Sequence, residues 1–344
     1  MKIAILGLAQ AGKKTLFSLL TGRHVPESRK PGETIEGIAP IHDSRVDALS
    51  DLYQPKKMTY AENQFVLCPD ITVGSNASRL WMDPARRCDL LCLLIRCFDS
   101  PDVFHPFGSV DPKRDRAMIE TELILADMQL VETRLQRLAK EKKGSQTSAQ
   151  ALEEDILQRF NSALEEEKFL SSVLLDGDEE QVIKSLDFVT RTPVIYAYNV
   201  SEADIGKDFG PDVFTFSCAI ESEIAAIDDE AERLEFMAEM GIDEPSLDRV
   251  NAALYDALGL MSFYTSGEDE CRAWTIRKGS RAPVAGGKIH SDIERGFIRV
   301  EVMKYDDLMA AGSEQGVKQA GKMQLHGKDY IIEDGDICHF LFNV

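Results

Sequence analysis

GLAQAGKKT, Gly7 to Thr15, is the stretch on which the reading of this chain turns. Ahead of it runs KIAILG (Lys2–Gly7), apolar and of strand length, and behind it KTLFSLLTG, whose Leu16, Phe17, Leu19 and Leu20 suit a helix that stops at Gly22. A glycine loop between a strand and a helix presents backbone N–H groups to phosphate oxygens, and a lysine at its end reaches the outer phosphates. Gly7, Gly12 and Lys13 fall on the pattern G-x-x-x-x-G-K-[ST], but Lys14 stands where a hydroxyl residue normally holds Mg²⁺. Thr15 is no simple substitute, because one step along a helix turns a side chain by about 100°. The loop's candidate nucleotide-binding residues are Gly7, Gln10, Ala11, Gly12, Lys13, Lys14 and Thr15, with Mg²⁺ left in question by Lys14.

Outward from the loop, FVLCPDI (Phe65–Ile71), LLCLLIRCF (Leu90–Phe98), TPVIYAYNV (Thr192–Val200) and DVFTFS (Asp212–Ser217) read as further buried strands. Interspersed with helical segments, they predict an α/β fold with a mostly parallel sheet covered on both faces. From Asp115 to about Leu186 the texture is long helix, interrupted by GSQTSAQ (Gly144–Gln150). Two arrangements suit it: a projecting helical hairpin or coiled-coil arm, or two helices that merely cover the sheet. Past the helical run LDRVNAALYDALGLM, the composition shifts near Ser262 to glycine-rich turns and the strand-like RAWTI, GFIRVEVM, KDYIIE and CHFLFNV, with a short helix around Tyr305 to Ala311. The expected organisation is a P-loop nucleotide-binding domain at 1–114 plus 190–261, a helical insertion at 115–189, and a small α+β domain at 262–344.

Composition bounds the function. With 44% hydrophobic and 28% charged residues in 344, disorder is not expected. LLCLLI is too short to span a bilayer and MKIAILG lacks a signal-peptide cleavage region, so a cytoplasmic protein without a membrane partner is expected. Seven scattered cysteines suit a reducing compartment, with Cys68, Cys92, Cys97 and Cys338 in apolar runs read as small core residues. A net charge of −20 repels nucleic acid at long range. The exception is Arg272, Arg277, Lys278, Arg281 and Lys288, a stretch free of acids that reads either as a solvated surface or as a patch facing ribosome or rRNA.

Asp70, at the end of FVLCPD, is placed to orient Mg²⁺ or its water. Asn199 and Glu202, in NVSE after a strand, could bond a purine edge, and Ser217, Cys218 and Ala219 could offer backbone N–H groups to the same base. The implied ligand is ATP or GTP. No Ser/His/Asp order, metal-ligand cluster or paired-acid motif favours a small-molecule enzyme.

With these residues in hand, the chain resembles the YchF/Obg-like ATPase family over essentially its whole length. The most specific stretch runs from FYTSGEDECRAWTIRKG through GKDYIIEDGDICHFLFNV, which looks like that family's C-terminal TGS domain. IRCFDSPDVFHPFGSVDPKRD and ETELILADMQLVETRLQRL are similar to its switch-adjacent loop and helical arm. The resemblance implies a GTPase-like P-loop fold, an inserted coiled coil, a ubiquitin-like TGS domain, ATP favoured over GTP because NxxE replaces NKxD, and association with ribosomes or translation factors. It assigns Thr34, in ETIEG, to the first switch beside the metal, Asp70 to the DxxG aspartate, and Asn199 and Glu202 to the base. It makes His105 the catalytic loop histidine, acting with Lys13; without it, His105 is a loop histidine of no particular role.

The departures gather in the catalytic parts. Ala9, Gln10 and Lys14 replace the family's Pro, Asn and Mg²⁺-binding Ser; Val73 stands at the DxxG glycine, with Gly74 one residue late; and the second switch, GSNASRLWMDP, is atypical. Lys14 either takes over part of the metal's electrostatic role or points to solvent beside an eroded metal site, and either way impaired hydrolysis is expected. The sequence therefore predicts a slow or impaired ATPase linked to ribosomes, or a nucleotide-holding or nucleotide-independent scaffold.

Overall fold

In a computed structural model of the chain, the described residues are 1–26, 30, 32–74, 79–141, 147–210, 213–240, 242 and 245–343. They gather into two compact units, Met1–Ile38 with Gln64–Val250, and Ala39–Asn63 with Asn251–Val344. Boundaries drawn along the sequence keep residues 39–63 beside the phosphate loop; packing groups them instead with the C-terminal residues.

The first sheet takes its strands from β1 (Lys2–Gly7), β2 (Ile35–Ile41), β4 (Ala61–Leu67), β5 (Leu90–Arg96), β6 (Val194–Asn199) and β7 (Val213–Phe216), in the order β2-β4-β1-β5-β6-β7. β1 runs parallel to β4 and β5, β5 to β6, and β6 to β7. β5 is buried along its whole length, as expected of a central parallel strand covered on both faces. β4 begins earlier than its apolar run suggests, because its first half alternates buried and exposed positions and only FVL is continuously apolar. β2 escaped the reading for the same reason: in IEGIAPI, Ile35, Ala39 and Ile41 are buried while exposed residues separate them. Asp212 of DVFTFS lies outside the described residues.

The helices of this unit are α1 (Lys13–Thr21), α3 (Met82–Arg86), α4 (Pro112–Glu141), α5 (Ser148–Glu165), α6 (Gly177–Ile183), α7 (Cys218–Ala226), α8 (Glu230–Glu239) and α9 (Ser246–Ala257), the last running on past the unit's boundary. α4, at 30 residues and roughly 45 Å, covers the sheet with its first half and packs on α5 with its second. Its first half sends Ile119, Leu123 and Ala126 into the core over the sheet. Its second half packs Val131 and Leu138 against Ile156, Leu157, Phe160 and Leu164 of α5. Arg134 and Glu153 tie the two helices with paired bonds of 2.6 and 2.8 Å. Of the interrupting GSQTSAQ, residues 144–146 lie outside the described residues, while Thr147 and Gln150 form a capping box that starts α5.

In the second unit, α2 (Ser44–Tyr53), α10 (Ala282–Ile289), α11 (Ser291–Arg295), α12 (Tyr305–Ala311) and α13 (Glu314–Gln319) accompany a mixed sheet. Its strands β3 (Lys57–Thr59), β8 (Leu260–Thr265), β9 (Glu270–Arg277), β10 (Phe297–Lys304), β11 (Gln324–His326) and β12 (Asp336–Phe342) take the order β11-β10-β12-β8-β9-β3. Phe263, Val300, Val302 and Phe340 meet Ala282, Ala285 and Ile293 in its core. The sequence carried the helical run to Met261, but α9 ends at Ala257, and Gly259, at φ 64°, turns the chain so that β8 starts at Leu260. KDYIIE is not a strand; its one ladder contact is a bridge between Ile331 and Arg281. The fully buried Asp336 holds it in a turn, accepting from the Tyr330 hydroxyl at 2.8 Å and the Glu333 N–H at 2.9 Å. Lys304 neutralises that carboxylate at 2.6 Å.

None of the seven cysteines forms a disulfide; Cys68, Cys92 and Cys338 are buried as expected, whereas Cys97 is half-buried. No described helix is long and apolar enough to cross a membrane.

Candidate functional site

β1 ends at Gly7, where a Cβ would collide with the Leu94 carbonyl oxygen of neighbouring β5, so only glycine lets the chain leave the sheet there. The backbone then turns left-handed at Gln10 (φ 61°) and Gly12 (φ 100°). Turns of this kind gather successive N–H groups into an anion-binding concavity. α1 starts at Lys13 with no side-chain cap on its first turn. The dipole at a helix start of this kind favours an anionic ligand.

A cavity of about 460 Å³ opens at this point, lined by Gln10, Gly12, Lys13, Lys14 and Thr15 and, from the facing segments, by Lys30 and Asp70. Lys13 is 5% exposed and folds across the loop. Its Nζ donates to the carbonyls of Gly7 (2.9 Å) and Leu8 (2.5 Å) and pairs with Asp70 Oδ1 at 2.7 Å. Lys14 and Thr15 are both exposed and both border the cavity.

Asn199 closes the loop from behind. It sits at the end of β6, 3% exposed, with Nδ2 donating to the Ala11 carbonyl at 3.1 Å and Oδ1 accepting the Cys218 N–H at 3.0 Å. The Cys218 Sγ lies 3.8 Å from the Gly12 carbonyl, and burial pushes its thiol up to about 12, which makes it a packing group and not a nucleophile. Ser217 is buried at the N-terminus of α7, while Ala219 and Glu202 are exposed, Glu202 in a short turn of 3₁₀ helix. The structure thus brings the loop, Asp70, Asn199 and the start of α7 together.

It does not bring every expected residue to the cavity. Thr34, exposed just before β2, is not among the lining residues. His105 is 6% exposed and engaged through both ring nitrogens. Nδ1 accepts the Phe107 N–H at 3.2 Å, and Nε2 lies 2.8 Å from Asp115 Oδ2, whose other oxygen takes Arg114 at 2.7 Å. The switch segment after Asp70 is pinned as well. Val73 packs on the core over the sheet, and the Gly74 N–H donates to Glu122 Oε1 of α4 at 3.0 Å. The next part of the second switch, residues 75–78, lies outside the described residues.

Sequence reasoning missed Lys30, Asp115 and Glu122. Lys30 belongs to no pattern, and Asp115 follows His105 by one surface loop. Glu122 left one readable signal, an acid among the apolar positions Ile119, Leu123 and Ala126 of α4, where it is 2% exposed. In the basic stretch, Lys278 pairs with Asp256, Arg281 with Asp329 at 3.2 Å, and Arg272 lies 3.9 Å from Glu270 with its guanidinium over the Trp274 ring. Much of its charge is therefore met within the unit.

A divalent ion fits this donor set poorly. Its hydroxyl ligand is replaced by the cationic Lys14, and Asp70 is engaged by Lys13. What the cavity offers a phosphate chain is instead a set of backbone N–H groups and ammonium groups.

Residues 260–343 match the family described as YchF-GTPase_C, protein of unknown function (DUF933). The chain is 39% identical, over its full length and 99% of the relative's, to the ribosome-binding ATPase YchF of Haemophilus influenzae. It is 34% identical to Obg-like ATPase 1 of Caenorhabditis elegans over 100% of this chain and 92% of that one. Among solved structures, the Schizosaccharomyces pombe YchF GTPase superposes with a TM-score of 0.84 at 30% identity, covering 99% of this chain and 97% of that one.

Proposed function

This chain belongs to the YchF family, and from that premise we propose that it is a cytoplasmic, ribosome-associated protein that holds a purine nucleotide in the cavity at the end of β1, ATP in preference to GTP, and hydrolyses it slowly or not at all. The observation that carries the nucleotide reading is the uncapped start of α1 behind a left-handed loop, with Lys13 at the floor of a 460 Å³ cavity. The relatives named as ribosome-binding support the partner. Residues 115–189 act in this reading as a helical arm and 262–344 as a TGS domain, either of which could present the ribosomal contact.

The second reading, a nucleotide-holding or nucleotide-independent scaffold, is favoured by the catalytic side of the site. His105 is clamped to Asp115, and the segment after Asp70 is held as well, with Val73, at the DxxG glycine position, packed against the core and the neighbouring Gly74 N–H taken by Glu122. Both are ground-state contacts that hydrolysis would have to break.

Calorimetric titration of ATP and GTP into the purified protein, with Lys13→Ala as control, tests the first part. ATP binding that disappears in the variant is expected; no binding of either nucleotide to the parent removes the reading. Co-sedimentation with ribosomes at low salt tests the partner, and its absence with and without nucleotide would remove that half.

A further inference from the structure

We infer that the second unit takes up an extended, basic peptide segment of a partner protein as an added strand along the open edge of β12, whether or not the phosphate cavity holds a nucleotide. On one side β12 is paired throughout by β10, from Asp336 with Lys304 to Phe342 with Phe297. On the other side β8 meets it at Ile337 with Tyr264 and ends at Thr265, so residues 338–342 have no strand beside them among the described residues. The N–H and C=O groups of an unpaired strand edge are a template for another extended chain.

A cavity of about 350 Å³ opens at this edge, lined by Thr265 and Ser266 from the end of β8 and by Cys338, His339 and Phe340 of β12 itself. Its walls come from both faces of the sheet. Phe340 and Cys338, opposite Val300 and Val302, point into the core with Ile293, while Glu301 and His339, opposite one another, point the other way. Ile289 and Ile293 line the cavity on the core side, Glu301 and Met303 on the far side. A cavity walled from both faces marks a place where the sheet lacks a strand, and a chain laid there sends alternate side chains to each wall.

Charge selects the occupant. Glu301, Glu314 and Lys318 line the cavity, two carboxylates against one ammonium. Directly opposite Glu301 across the sheet stand His339 and Leu325, neither a lysine nor an arginine. Apolar residues toward Ile289 and Ile293, alternating with lysine or arginine toward Glu301, complement both walls; an acidic segment is repelled. The chain's net charge of −20 favours a basic partner at long range as well.

The test is fluorescence anisotropy of a labelled, capped peptide of about five alternating valine and lysine residues titrated with the full chain, beside a counterpart carrying glutamate for lysine. The lysine peptide should bind at least about tenfold tighter at low salt, and Glu301→Lys should cut that preference to about threefold or less. N-methylation is the discriminating readout, because it removes donors from the peptide and leaves the protein untouched. Methyl groups on alternate residues should abolish binding in one alternation and spare it in the other, since a strand bonds its neighbour through every second residue. Equal effects of the two alternations overturn strand addition, and a preference unchanged in Glu301→Lys overturns the basic occupant. No saturable binding of either peptide overturns the inference. So does a parent that dimerises and is dispersed by Glu301→Lys, which assigns the edge to a second copy of this chain.

Discussion

Replacing Asn199 by alanine should damage the phosphate loop before it damages recognition of a base. The side chain is 3% exposed and joins two backbone groups far apart in sequence, the Ala11 carbonyl at 3.1 Å and the Cys218 N–H at 3.0 Å. Truncation leaves both without their partner. A buried polar group deprived of its bond costs about 1–3 kcal/mol, so two cost roughly 2–6 kcal/mol, with water entering the vacated space pulling toward the lower figure. The fit is close: a Cβ on Gly12 would lie 2.5 Å from Asn199 Nδ2, so the amide is also what keeps the left-handed turn seated. At about 2–4 °C per kcal/mol, thermal unfolding of this unit should start roughly 4–24 °C lower. The discriminating assay is titration with inorganic tripolyphosphate, which has no base. A brace predicts that Asn199→Ala loses affinity for tripolyphosphate and for ATP alike. Unchanged melting together with unchanged tripolyphosphate affinity, while ATP binding falls, would refute the brace and return Asn199 to the base.

Three further outcomes are expected. Because the Gly74 N–H is bonded to Glu122 and Val73 is packed into the core, ATP and ADP should bind within about tenfold of each other, about 1.4 kcal/mol; a larger preference for ATP in competition titration would show that the switch still reads the γ-phosphate. His105, engaged at both nitrogens, should resist diethyl pyrocarbonate in the native protein and become modified in Asp115→Ala, as read by mass spectrometry; equal modification in both proteins would contradict the clamp. Burial raises the Glu221 carboxyl above its ordinary 4.5 although it accepts the Ser246 N–H at 2.8 Å. A raised acid stabilises the fold while protonated, and that contribution is lost as pH rises from 4.5 through the folded value. Glu221→Gln should therefore gain stability relative to the parent between pH 5 and pH 8 in urea denaturation, and a pH-independent difference would contradict the assignment.

How much could be read in advance differed element by element. KIAILG and LLCLLI were legible as strands because continuous apolar runs mark strands buried on both faces. IEGIAPI was not, since an edge strand buries only scattered residues, and KDYIIE misled because its apolar residues serve a turn around buried Asp336. Around the cavity, Gly12, Lys13 and Lys14 could be placed together in advance because strand, loop and helix are contiguous and their spacing carries the geometry. Glu122 and Asp115 could not, because each acts across a tertiary contact that no spacing encodes.

By itself, then, the sequence determined that a glycine loop joins the first strand to the first helix, that Lys14 follows Lys13 there, and that a long helical pair interrupts a parallel sheet. Those properties follow from neighbours along the chain. Only the tertiary structure decided that Asn199 braces the loop, that Glu122 holds the Gly74 N–H, that Asp115 holds His105, and that residues 39–63 pack with the C-terminal unit. The reason is that a buried polar group must find its partner wherever folding places one, and the choice among distant candidates is made by packing.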